Sequence, residues 1–118
     1  MRTDSITLWN RRCSIELIPM GITGGDFFGE VNLEVPHALA EHLKEDREGQ
    51  ISLRLVMQGQ PASFLVRDEV SEQGMVVYTT CFIFPVGHTC SLLTAGGNAV
   101  ATWKLREDGE AELLYIQH

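Results

Sequence analysis

The stretch TTCFIFPVGHTCSLL, residues 79–93, holds two of the chain's three cysteines and one of its four histidines. Cys81, His88 and Cys90 have the side-chain types of a zinc site, and Cys13 would be a fourth ligand if the fold carried it across a sheet. Structural zinc sites use closely spaced ligand pairs such as C-x2-C, so that one turn presents two sulfurs together. No such pair occurs here. A nucleophilic thiolate is the other chemistry open to these residues, and it needs a helix N-terminus or a cation beside the sulfur. Cys81 has neither nearby in sequence, and Cys90 has only His88. The expectation is therefore core thiols and a turn histidine, with Cys81, His88 and Cys90 as the candidates for any metal or thiol chemistry. No cofactor is expected.

Other chemistry-bearing residues are less concentrated. His37 and Glu41 lie four apart on a predicted helix, beside His42, and would share a face. The H-E-x-x-H spacing of a helical zinc site is absent, so a solvated pair is expected. No Ser-His-Asp order stands out. The acids of KEDREGQ and REDGEAE fall at a helix end and a hairpin tip, where exposure leaves carboxylates without the pKa shift that acid–base work requires. The segment GITGGDFFGE, residues 21–30, is the strongest candidate for a binding surface. Its glycines allow close backbone approach. It lacks the endings of a phosphate-binding loop or a dinucleotide fingerprint. Two adjacent phenylalanines on a strand point to opposite faces, so Asp26, Phe27 and Phe28 would present an acid and one exposed ring to a partner.

The elements that must position these residues are mostly strands. Cys13, Ile15 and Leu17 alternate with polar neighbours, as do Val31, Leu33 and Val35; Ile51, Leu53, Leu55 and Met57; and Ala101, Trp103 and Leu105. Asp108-Gly109 predicts a tight hairpin between strands 98–106 and 110–116. Pro61 in QGQPA, SEQG at 71–74 and AGGN at 95–98 mark further turns. The run MVVYTTCFIFP ends in consecutive apolar residues and predicts a strand covered on both faces. One segment departs from the pattern. Pro36, the Leu39/Leu43 spacing and Gly49 predict a helix of about three turns near residues 36–47. The fold class is mainly β, or β-rich α+β: a single compact barrel or sandwich of about eight strands with one helix.

The totals bound the function. At 118 residues the chain is read as one domain, 1–118, large enough for a core without disulfides. No apolar run is long enough for a membrane helix, and Asp4, Arg11 and Arg12 interrupt any signal peptide, so a cytoplasmic chain is expected. Net charge is −7; three arginines against one acid leave +2 in residues 1–12, so the rest carries −9. Such a body repels phosphates, which excludes general nucleic-acid binding and favours a basic protein partner. Three function classes follow. The favoured one is a small acidic, non-enzymatic protein-interaction domain: an inhibitor, an immunity-type protein, an adaptor or an assembly subunit. The alternatives are a small-molecule-binding β-barrel, with Trp103, Phe82, Phe84 and Tyr115 lining or filling its interior, and a metal or thiol protein built on Cys81, His88 and Cys90. An uncovered strand edge would also let copies of the chain self-associate.

Overall fold

The computed structural model describes residues 4–70 and 73–118. Ser71 and Glu72 of the expected SEQG turn, and the basic Arg2, lie outside the described residues. Among the described residues nine strands form one antiparallel sheet: β1 (Asp4–Leu8), β2 (Arg11–Thr23), β3 (Asp26–Pro36), β4 (Gln50–Val56), β5 (Ser63–Val70), β6 (Met75–Pro85), β7 (Thr89–Leu93), β8 (Ala99–Leu105) and β9 (Ala111–Ile116). Their spatial order is β1-β2-β3-β6-β5-β4-β7-β8-β9. The two ends of the sheet meet. Thr7 N donates to Gln117 O at 3.3 Å, and Gln117 Nε2 donates to Thr7 O at 2.7 Å. The sheet is thereby curled into a nearly closed barrel, the first of the two architectures expected.

Period-two alternation drives this closure, because each strand has one apolar row that must leave water. The inward rows include Cys13, Ile15 and Leu17 on β2, Val31, Leu33 and Val35 on β3, and Trp103 and Leu105 on β8, all buried in one cluster. No polar or charged residue among those described is fully buried. At one end of the interior, Phe27 stacks on Phe82 with ring centroids 6.2 Å apart, and Phe82 meets Phe84 at 5.2 Å. β3 and β6 pair without interruption from Asp26↔Pro85 to Pro36↔Met75, giving a long wall that supports these rings. Gly29 lies directly opposite Phe82, whose ring occupies the space a side chain would need: a Cβ on Gly29 would sit 2.6 Å from Phe82 Cζ.

The helix is shorter than its sequence pattern predicts. α1 spans only His37–Ala40, followed by turns. Leu39, Ala40 and Leu43 still bury their side chains, as the apolar spacing requires, and α1 packs against β3 and β6. The residues expected at its far end form a different local structure. The Asp46 carboxylate accepts hydrogen bonds from the backbone N–H of Glu48 (2.8 Å) and Gln50 (2.9 Å), and Gly49 takes φ = 85° within that turn rather than capping a longer helix. The segment is fastened by Glu45, whose Oε2 accepts from Tyr78 Oη (2.7 Å) and faces Arg67 Nε at 3.0 Å.

The tight hairpin expected at Asp108-Gly109 joins β8 to β9. Gly109 N donates to Arg106 O and Arg106 N donates to Glu110 O, with Gly109 at φ = 87°, the pattern of a type I turn closed by a G1 bulge. One further expectation needs correction: the run CFIF is not covered on both faces. Phe82 and Phe84 point inward, whereas Cys81 is exposed and Ile83 is 56% exposed. Consecutive apolar residues here mark an apolar outer surface, which composition alone does not separate from a second buried face.

The packing of Phe82 on Gly29 yields a direct test. Gly29→Ala is expected to lower stability by about 1–3 kcal/mol, the usual cost of overpacking a filled core. Adding Phe82→Leu should recover part of that loss. Denaturant midpoints of the single and double variants check it.

Candidate functional site

Strand alternation separates the cysteines and histidine picked out by sequence. Cys90 points inward from β7, where its register partner is Trp103, and Cys13 is buried on β2. Cys81 points outward from β6, and His88 is exposed in the turn before β7. His88 and Cys90 therefore do not share a face, and the expectation that Cys81 is a core thiol is overturned. Among the described residues no group of three or more His, Cys, Asp or Glu side chains is placed to hold a metal ion. Burial pushes the Cys90 thiol up to about 12 and the Cys13 thiol to about 11, opposite to what a thiolate nucleophile needs. His37 Nδ1 and Glu41 Oε1 stand 3.8 Å apart with both side chains mostly exposed, a solvated helix pair.

The segment 21–30 is largely strand. Only Gly24 and Gly25, with φ of 60° and 84°, form the turn between paired Thr23 and Asp26. Positive φ at both positions is the hairpin geometry that glycine adopts without strain. The predicted trio divides accordingly. Phe27 is wholly inside the barrel and is removed as a contact residue; Phe28 faces outward and Asp26 is half-buried beside the turn. Phe28 is the ring that remains available.

Phe28 does not stand alone. Its register partner on β6 is Ile83 and its partner on β2 is Gly21. The β2–β3 register slips between Pro19 and Gly21, a bulge that pushes Met20 outward to 64% exposure. On the other flank, the β5–β6 register ends at Val66↔Thr79, the Ser63 hydroxyl still reaches Thr80 Oγ1 (2.6 Å) and Cys81 O (3.2 Å), and past Cys81 the groove opens between β6 and the segment before β5. The result is a groove of about 510 Å³ lined by Met20, Phe28, Cys81, Ile83, Gln60 and Pro61, among others. It is floored by carbon and bordered by acid. Glu30 is the register partner of Cys81 and accepts from Thr79 Oγ1 at 2.9 Å. From there a second depression continues along the same outer wall, lined by Glu16, Glu30, Glu34 and Asp68 with Ser14 and Asn32, and none of the described residues lining it is Lys, Arg or His.

Sequence reasoning found Phe28 and missed Met20, Ile83, Pro61 and the carboxylate row. These meet through the β3–β6 pairing and the Met20 bulge, and neither leaves a local signal. Other exposed apolar residues lie elsewhere: Trp9, in the β1–β2 turn with φ = 47°, and Leu114 and Tyr115 on β9. No known protein family, curated protein or solved structure matches the chain.

Two measurements check this placement. In the native protein one thiol, Cys81, is expected to react promptly with a chromogenic disulfide reagent, and all three are expected to react after unfolding. Stability is also expected to fall on the alkaline side. Burial, then the bond and charge of Glu45, hold the Tyr78 phenol up to about 12 despite the opposing Arg67. Between the ordinary values of 9.0 for the thiols and 10.0 for the phenol and these raised values, the unfolded chain sheds protons that the folded chain keeps. Folding is therefore fully supported below pH 9 and loses support as pH climbs toward 12. Denaturant midpoints across that window should decline, and less steeply for Cys90→Ala.

Proposed function

We propose that this chain is a non-enzymatic protein-interaction domain that docks a basic protein partner on the outer face of β2, β3 and β6. The observation carrying this reading is the apolar Phe28–Ile83 groove running directly into the carboxylate row of Glu16, Glu30, Glu34 and Asp68. Apolar side chains half-exposed in a groove are suited to act as anchors, and a row of like charge beside them steers and orients a cationic partner. The net charge of −7 extends the same field over the rest of the body. All three cysteines are free thiols, which fits a reducing setting such as the cytoplasm.

A second reading draws on the size of the groove, which falls within the range of small-ligand sites. Phe82, Phe84 and Trp103 are taken up in the core and Tyr115 lies at the surface, so a small apolar molecule would occupy the same outer groove as the protein partner. The two readings differ in their response to salt and to charge.

Capture of partner protein from extracts of the source cells by wild type and by folded variants distinguishes them. Ile83→Asp is expected to reduce capture at least about tenfold, a loss on the order of 1.4 kcal/mol. Glu34→Lys combined with Asp68→Lys should do the same, and raising ionic strength from about 0.05 to about 0.5 M should release what is bound. Tyr115→Asp, on β9 and outside the groove lining, should leave capture unchanged. Equal capture by wild type and both outer-face variants would remove this reading.

A further inference from the structure

The way β6 leaves the sheet points to the form in which a partner binds. Just past β6, Val86 N donates to Gly25 O on the β3 side, whereas on β6 Cys81 O accepts from Ser63 Oγ on the β5 side at 3.2 Å. Backbone groups of alternate residues face opposite neighbours in a sheet. Phe82 and Phe84 therefore ladder with β3, and Cys81, Ile83 and Pro85 turn their backbone groups toward the β5 side. There β5 has stopped pairing. Extending the Val66↔Thr79 register would set Ala62 against Ile83, yet the described pairing of these strands ends at Val66 and Thr79. Pro85 has no N–H to offer. The N–H and C=O of Ile83 are thus left at an open edge along the apolar groove, with Pro61 forming part of the opposite wall.

We infer that this groove accepts an extended basic segment of a partner protein, which bridges to the Ile83 backbone as a short added strand. Its apolar side chains seat beside Phe28 and Ile83 and its lysines or arginines reach the Glu30–Glu34 row. The inference rests on the reading above and specifies the partner's local structure and charge. Phe28, Ile83, Glu30 and Glu34 all project from the outer face, so an extended segment serves the groove and the carboxylates together when apolar and then cationic residues occupy every second position on the side turned to that face. A second copy of the chain fits less well, because it would bring its own acidic face against this one.

Amide hydrogen exchange of the full chain, read by NMR, tests this with three synthetic peptides. The first carries valines and then lysines at every second position, with threonine between them, over roughly nine residues, enough to span the groove at about 3.3 Å per residue. The second replaces every lysine with glutamate. The third is the lysine peptide N-methylated at alternate peptide bonds, which removes the edge hydrogen bonds and keeps the side chains. The lysine–valine peptide is expected to slow exchange at the Ile83 amide at least tenfold and to leave the Phe82 amide, already bonded to β3, unchanged. The glutamate and N-methyl peptides should bind at least tenfold more weakly. Failure of the lysine peptide to bind, an unprotected Ile83 amide in its complex, or equal binding of the N-methyl form would each overturn the strand mode. So would protection of Ile83 that grows with protein concentration alone, accompanied by a sedimenting dimer. If Ile83→Asp still abolishes partner capture in any of these cases, the face remains the docking site and only the mode of binding falls. Capture that survives Ile83→Asp removes the face itself.

Discussion

Every strand in this chain has to divide its side chains between a filled interior and the outside, and the rest of the structure follows from that division. The interior is occupied by aliphatic and aromatic side chains, with Tyr78 sending its hydroxyl to Glu45 at the rim. Burial of such rows is the main favourable term in folding. It leaves no buried polar residue among those described around which chemistry could be arranged. On the function proposed above, recognition is met by the outer wall.

The outer wall acquires its shape where the barrel is least regular. Two departures converge on one patch. The bulge after Pro19 ejects Met20, and the early end of β5–β6 pairing opens the side of β6. Both are accommodated because the β3–β6 ladder beneath them is continuous and is tied to the core by Phe82 packed over Gly29. A rigid wall with a locally incomplete edge presents an apolar surface without giving up the fold. On the proposed function, the neighbouring carboxylates keep that surface hydrated until a partner of opposite charge covers it.

Most of the fold was legible in the sequence because two-residue periodicity is a local signal. The inward rows on β2, β3, β4 and β8 were readable from spacing alone, as was the turn at Gly109. The helix was overestimated because the Leu39/Leu43 spacing served one turn plus a bend, and the Asp46 hydrogen bonds that shape the chain after it depend on where β4 begins. The candidate site was half legible. Adjacent Phe27 and Phe28 had to face opposite ways, but which one faced outward depended on register with a strand some 55 positions along the chain. Ile83 was misread as core for the same reason: apolar composition states a cost in water, not which body will relieve it.

The most direct test of the central claim is site-specific photo-crosslinking in the source cells, with a photoreactive amino acid placed at position 83 or, separately, at position 114. The account predicts a discrete adduct to another protein from position 83 and none from position 114. Adducts from position 114 alone, or from neither position in protein that is folded and expressed, would contradict it.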